Sequence, residues 1–137
     1  MLGENELMKT NSKLALAVLA GISIGIAAAR ATRAQQVSTP PGYVIAEVEV
    51  TDPDTMKKYV EKFPDTVAPF NHRYLVLGHN IQAVEGEPPK GGVVIIAFDS
   101  ADKAREWYDS PAYQAIKPIR QTSAKSRIFI VEGVAPQ

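Results

Sequence analysis

The sequence predicts an α+β domain in which a four-stranded antiparallel sheet carries two helices on one face. Two observations indicate this fold. Four short segments either alternate between apolar and polar residues or are apolar at every position, and two longer segments have apolar residues at helical spacing. Their order along the chain is β-α-β-β-α-β, the split βαβ arrangement of a ferredoxin-like sandwich. We place this domain at residues 43–137, after a flexible tether at residues 35–42.

The first strand and the first helix open this domain. Residues 43–50 alternate in polarity, so that every second side chain lies on the same face of a strand. The Thr-Asp-Pro segment at residues 51–53 supplies a helix cap and a first-turn proline. Pro64 removes a backbone donor inside the helix that follows, so we expect a kink or a restart there, with Asp65 near the new beginning.

The second and third strands form the next predicted unit. Residues 73–77 and 81–84 are extended runs separated by Gly-His-Asn at residues 78–80, which indicates a bulge or a short turn in one long strand. Residues 93–98 are apolar at every position and make the third strand. We expect these two strands to pair antiparallel.

The second helical segment and the last strand complete the domain. Ser100 is a helix cap, and Ser110 with Pro111 resets the helix, because serine caps a helix and proline is favoured at its first position. The last strand is predicted at residues 127–132.

The sheet face without helices is also predicted to be apolar. Both residues 93–98 and residues 128–131 are unbroken apolar runs, so apolar side chains lie on both faces of these strands. Because an exposed apolar area of this size is unusual on a soluble monomer, we expect a homodimer in which two sheets pack face to face as an α/β barrel. Glu47 and Glu49 lie on this face, where we expect pairing with the partner's Lys or Arg; an acid–base pair is the alternative.

Residues 1–34 are predicted to be a signal peptide. Two lysines precede an uncharged apolar run at residues 14–29, which would span roughly 24 Å as a helix, short of the roughly 30 Å of a bilayer core. We expect cleavage after Ala34, with a site at residues 29–31 as the alternative, and a periplasmic or secreted protein. Two alternatives remain: translation could begin at Met8, and the segment could be an uncleaved membrane anchor. We expect contact with a membrane only through such an uncleaved segment.

The composition excludes several classes of function. Lys and Arg number 15, as do Asp and Glu, and no basic stripe is present, so we expect no nucleic-acid partner. The chain has no Cys, which excludes disulfides, thiolate zinc sites, iron–sulfur clusters and a Cys nucleophile. The GEPPKGG segment at residues 86–92 lacks the pattern of a phosphate-binding loop. We therefore expect no cofactor and no metal.

Four segments resemble those of a known family. They are YVIAEVEVTDP at residues 43–53, HRYLVLG at residues 72–78, VEGEPP at residues 84–89 and WYDSPAYQ at residues 107–114. In order and spacing they resemble the bacterial domain of unknown function (DUF) thirteen-thirty family, within the dimeric α/β barrel superfamily. The resemblance implies a ferredoxin-like fold and a dimer, and it implies no function.

The chain departs from the pattern of this family at its histidines. Where such proteins commonly have glycines on either side of the second strand, this chain has Asn71, His72 and His79. Because Asn and His are enriched at positive φ, we interpret all three as residues that satisfy backbone geometry. The alternative is a metal or haem site, or an acid–base pair that titrates near pH 6.5.

The candidate ligand-binding residues combine this segment with an aromatic group. Arg73 would hold a carboxylate or phosphate, or would form a structural ion pair. The aromatics of the second helical segment would line an apolar pocket with polar groups, or would belong to the core. The full set of candidates is His72, Arg73, His79, Trp107, Tyr108 and Tyr113.

The sequence thus favours an exported, homodimeric module that binds a small ligand between sheet and helices. One alternative is a cofactor-independent oxygenase, an isomerase or a haem-related enzyme, in which His72 or His79 moves a proton and Arg73 steadies an anionic intermediate. A second alternative is a non-catalytic interaction module.

Overall fold

The computed structural model describes residues 38–137, so the predicted signal peptide and residues 35–37 of the predicted tether lie outside the described residues. Within residues 38–137, no helix is long and apolar enough to cross a membrane. The elements in chain order are β1 (Gly42–Val50), α1 (Pro53–Val67), β2 (His72–Gly78), β3 (Gly92–Phe98), α2 (Ala101–Asp109), α3 (Pro111–Ser123) and β4 (Ala124–Glu132).

The four strands form one antiparallel sheet in the order β2-β3-β1-β4. This order places the first and third strands at the centre, as the predicted β-α-β-β-α-β arrangement requires, and it confirms the predicted fold class. The core lies between the sheet and the helices, where Val44 and Ile96 from the central strands pack with Val67 of α1 and Trp107 of α2.

The helices begin where the sequence predicts, because each has a side-chain cap. Asp52, Ser100 and Ser110 precede α1, α2 and α3, and each accepts a hydrogen bond from the backbone N–H three residues further on, at 3.1 to 3.3 Å. Pro53 and Pro111 occupy the first turns of α1 and α3, where a missing N–H costs no helical hydrogen bond.

The predicted restart of the first helix at Pro64 is wrong. Helix α1 continues through Pro64 to Val67, and the N–H of Ala68 still donates to the carbonyl of Pro64 at 3.1 Å. The proline removes the hydrogen bond to the carbonyl of Val60, an exposed residue whose carbonyl water can satisfy. A single lost bond in the last turn therefore does not end the helix.

The predicted extension of the second strand to residues 81–84 is also wrong. Strand β2 ends at Gly78, which pairs with Val93 at the beginning of β3, so the residues beyond have no strand opposite them. The predicted bulge at residues 78–80 lies instead within β2, where the register shifts between Tyr74 and Val76.

The last strand begins earlier than predicted, at Ala124 rather than at residue 127. The pairing of β1 with β4 continues to the last residue of β1, where Val50 lies opposite Ala124. The backbone N–H groups of Thr51 and Asp52 both donate to the carbonyl of Ser123, at 2.8 and 3.0 Å. These bonds hold the end of α3 directly against the sheet, so no loop separates the helix from the strand.

The face of the sheet opposite the helices carries a continuous group of apolar side chains. In the register of the sheet, Ile45 lies between Ile95 of β3 and Phe129 of β4, and Val76 lies beyond Ile95. Val131 belongs to the neighbouring row, and it is 41% exposed, while Phe129 is 39% exposed. We call this group, formed by Ile45, Val76, Ile95, Phe129 and Val131, the open sheet face.

Candidate functional site

A cavity of about 260 Å³ lies between the sheet and the helices. We call it the sheet–helix cavity. Its walls are almost entirely apolar, because the strands present one alternating set of side chains to it while α1 contributes an aromatic stripe. Residues on these walls include Val44, Ala46, Phe63, Val94, Ile96 and Ile128.

One wall of the cavity is a packed aromatic cluster around Trp107, the only tryptophan in the chain. Its ring centroid lies 4.3 Å from that of Tyr113 and 5.7 Å from that of Phe63. The indole N–H donates to the hydroxyl of Thr66 at 3.1 Å, and that hydroxyl donates in turn to the carbonyl of Phe63 at 2.8 Å. Because the polar atom of the indole is satisfied at α1, Trp107 gives the cavity an apolar and rigid wall.

Polar groups occur together at the α1–α3 side of the cavity. The hydroxyl of Tyr59 donates to the hydroxyl of Tyr113 over 3.4 Å, and Arg120 lines the cavity with them. Burial, and to a lesser extent the neighbouring Tyr113, raise the pKa of Tyr59 well above its ordinary value, while Arg120 acts in the opposite direction. Tyr59 therefore stays protonated and remains a hydrogen-bond donor.

Arg120 is the unusual member of this group, because it is only 5% exposed. It donates from Nη1 to the hydroxyl of Ser126, and its Nε has no hydrogen-bond partner among residues 38–137. The ion pairs of the described residues join Lys103 to Glu106 and Arg127 to Glu47, and neither includes Arg120. A buried guanidinium is ordinarily paired with an acid, so this arrangement is a candidate anion site.

Two of the candidate residues from the sequence, Trp107 and Tyr113, line the cavity. Tyr108 lies beside it, in a polar surface pocket that Arg120 also borders. The remaining candidates, His72, Arg73 and His79, are on β2 or directly after it and are not among the lining residues. The structure therefore separates the aromatic candidates from the histidine and arginine candidates.

Sequence reasoning missed Tyr59 and Arg120. Tyr59 is one of the residues at helical apolar spacing in the first predicted helix, a pattern that indicates core packing and no polar role. For Arg120 a signal exists: it continues the buried stripe of α3 through Tyr113 and Ile116, at the spacing of one helix face. A cation on the apolar face of a helix indicates a buried charge, and therefore a partner for that charge.

The interpretation of Asn71, His72 and His79 as positive-φ residues is wrong. Within residues 38–137, positive φ occurs only at Gly86 and Gly91. His72 lies in β2, its Nδ1 is 2.9 Å from the carbonyl of Phe70, and Asn71 donates to Asp99 at 2.8 Å. These side chains make their own contacts. Among the described residues, no group of three or more His, Asp or Glu side chains is placed to hold a metal ion.

Replacing His72 by glycine is expected to lower the free energy of unfolding by about 1 to 2 kcal/mol. Glycine in a strand costs about 0.5 to 1 kcal/mol, and the hydrogen bond to the carbonyl of Phe70 contributes about 1 kcal/mol. The matched variant His79→Gly, at an exposed position outside the strands, should change it by less than about 0.5 kcal/mol. Urea denaturation of both variants measures the difference, and an unchanged or higher stability for His72→Gly would contradict the corrected assignment.

Glu47, which is expected to pair with a cation of a partner, already has a cation partner within its own chain. Arg127 of the same chain holds Glu47 with two hydrogen bonds, from Nη2 at 2.8 Å and from Nε at 3.2 Å. The two residues lie opposite each other on β1 and β4, which places their side chains on one face. With its carboxylate held in this way, Glu47 is a structural group at the edge of the open sheet face.

The family of the chain follows from a match of the family model for a domain of unknown function, DUF1330, to residues 41–134. The chain belongs to the DUF1330 family. The match includes every strand and helix described above, and it confirms the family indicated by the four sequence segments. No curated protein matches this DUF1330 chain.

Solved structures similar to this DUF1330 protein share its fold at low sequence identity. A protein of unknown function from Rhodopseudomonas palustris is 18% identical, with a TM-score of 0.55 over 76% of this chain and 89% of that one. SnoaB, a cofactor-independent oxygenase from Streptomyces nogalater, is 12% identical, with a TM-score of 0.50 over 72% and 96%. A dimeric ferredoxin-like protein of unknown function from Thermobifida fusca is 16% identical, with a TM-score of 0.50 over 72% and 95%. At these identities the similarity establishes the fold alone.

Proposed function

We propose that this DUF1330 protein is an exported homodimeric module that binds a small, largely apolar molecule in its sheet–helix cavity. The observation that carries the proposal is the cavity itself, which is about 260 Å³ in volume and apolar on nearly all of its walls. Ligand sites in proteins are mostly apolar concavities with a few convergent polar groups, and a cavity of roughly 150 Å³ already admits benzene. Tyr59, Tyr113 and Arg120 supply the polar groups here.

Two further observations support the homodimer within this proposal. The open sheet face carries apolar side chains from all four strands, an arrangement that a second copy of the same face would cover. The similar protein from Thermobifida fusca is described as dimeric and ferredoxin-like. Since the open sheet face and the cavity lie on opposite sides of the sheet, a dimer of this kind leaves the cavity available to a ligand.

A thermal-shift screen of small apolar molecules tests ligand binding. A ligand at about 100 times its dissociation constant adds about 2.7 kcal/mol of stability, which raises the Tm of a domain of this size by roughly 10 °C or more. The matched control is Ala46→Leu, which places three extra carbons in the cavity wall and should abolish the shift. A shift that persists in Ala46→Leu would place the ligand elsewhere and contradict the proposal.

Export is proposed from the two lysines that precede the apolar run of the predicted leader and from the run itself. Mass spectrometry of periplasmic or secreted protein is expected to give a chain that begins at Gln35, because small residues precede that position in the spacing of a cleavage site. The variant Ala34→Phe should accumulate uncleaved protein. Full-length wild-type protein held in the membrane fraction would contradict cleavage.

A cofactor-independent oxygenase is the second candidate function. Hydrogen-bond donors that converge on one end of an apolar cavity can stabilise an oxyanion, and Tyr113 and Arg120 are such donors, with Tyr59 donating to Tyr113. SnoaB, which has a similar fold, is described as an enzyme of this kind. The version with His72, His79 and Arg73 at the reacting centre has less support, since none of them lines the cavity.

A further inference from the structure

The charge of Arg120 has no counterion in the described part of the chain. The residue is buried, its Nε is unpartnered, and the ion pairs of residues 38–137 involve other side chains. Removal of a guanidinium from water is unfavourable unless an acid and hydrogen-bond acceptors replace the water. A cation kept in this position therefore indicates that an acidic group arrives from outside the described chain.

The orientation of Arg120 suits a carboxylate. Ser126 holds Nη1 through its hydroxyl, which leaves the edge of the guanidinium that includes Nε. Elsewhere in this molecule, Arg127 uses that same edge, Nε together with Nη2, to hold the two oxygens of Glu47. Paired N–H groups in this geometry match a carboxylate with two parallel hydrogen bonds.

The pair of tyrosines adds one donor beside this cation. Tyr113 accepts the hydrogen bond from Tyr59, so the proton of its own hydroxyl is available to an acceptor. All three side chains line the same cavity. A group that accepts several hydrogen bonds and carries a negative charge satisfies this set of donors, whereas a neutral amide or alcohol would leave the charge of Arg120 uncompensated.

We infer that the sheet–helix cavity binds a small apolar monocarboxylate, with its carboxylate against Arg120 and its apolar body against the Trp107 wall. This inference rests on the proposed function, because it names the class of ligand for the same cavity. The apolar walls argue against an inorganic anion, which would lose its hydration without gaining enough polar contacts. Because the cavity has a single buried cation, a ligand with one carboxylate is favoured over a ligand with two.

The test compares octanoate with octanamide, two probes of nearly equal size that differ in charge. Titration followed by the fluorescence of Trp107 and by calorimetry is expected to give octanoate an affinity roughly 10- to 100-fold higher. Because the pair is buried, this preference should persist at high salt, where binding to surface lysines is screened. Arg120→Gln should bring the two affinities within about threefold, while the control Arg105→Gln, on an exposed part of α2, should keep the wild-type ratio.

Each outcome of this comparison decides a separate point. Equal affinities in the wild type, or an octanoate preference that survives in Arg120→Gln, would overturn the carboxylate inference and leave the cavity site intact. Absence of binding by both probes would count against the cavity as a ligand site, and therefore against the proposed function as well. If Arg120→Gln does not fold, the wild-type ratio and the variant Tyr113→Phe decide, since loss of the Tyr113 hydroxyl, whose proton is available to the ligand, should weaken octanoate more than octanamide.

Discussion

The variant Ile45→Lys is expected to be monomeric or unfolded, whereas the wild-type protein is expected to be a dimer. Ile45 lies at the centre of the open sheet face, between Ile95 and Phe129. In a sheet-to-sheet dimer the introduced ammonium would be buried without an acid opposite it, at a cost of several kcal/mol. Size exclusion with light scattering measures the change in mass, and circular dichroism separates dissociation from unfolding.

The matched control for this prediction is Val84→Lys. Val84 is 93% exposed and lies in the loop between β2 and β3, so the same change in charge should leave both mass and fold unaltered. A well-folded wild-type monomer at micromolar concentration would contradict the sheet-to-sheet dimer. Dissociation by both variants would indicate a response to charge alone rather than to the open sheet face.

The variant Trp107→Ala is expected to lose about 3 to 5 kcal/mol of unfolding free energy, the range for removal of a large buried aromatic side chain. Trp107 is 1% exposed, and its ring contacts the rings of Phe63, Phe98 and Tyr113. Removal of the indole would enlarge the cavity and leave the aromatic cluster without its centre. Urea denaturation followed by circular dichroism measures the loss.

Trp107→Phe separates packing from hydrogen bonding in this cluster. The phenyl ring retains most of the apolar contacts and loses the bond to Thr66, whose hydroxyl keeps its own bond to the carbonyl of Phe63. We expect a loss of about 1 to 2 kcal/mol for this variant. A loss below about 1 kcal/mol in Trp107→Ala would contradict a rigid aromatic wall at this position.

The order of the elements was predictable because the signals for it are local. Ser100, Ser110 and Asp52 cap the helices they precede, and each cap needs only the three residues that follow it. The end of β2 was not predictable in this way. The end of β2 depends on where β3 begins, because Gly78 pairs with Val93, and Val93 lies on the far side of a long loop. Residues with an extended pattern form a strand only as far as the neighbouring strand provides hydrogen-bond partners.

The candidate site was predictable only in part, for a related reason. Trp107 and Tyr113 belong to one aromatic segment of the sequence, with Trp107 in α2 and Tyr113 in α3, and each is buried on its own helix. Tyr59 of α1 and Arg120 of α3 approach these aromatics only in the folded chain. The cavity itself depends on the distance between the helices and the sheet, which no local sequence pattern indicates. The prediction for His72 was wrong because the glycines of similar proteins do not determine φ at the corresponding residue of this chain.

A crystal structure of the protein with a bromine-labelled octanoate shows directly whether the sheet–helix cavity binds a carboxylate, because anomalous scattering locates the bromine without reference to other density. We expect one bromine site per chain inside the sheet–helix cavity, with the carboxylate within hydrogen-bond distance of Arg120 and the alkyl chain against Trp107. Bromine on the open sheet face, or an empty cavity at millimolar probe, would contradict it.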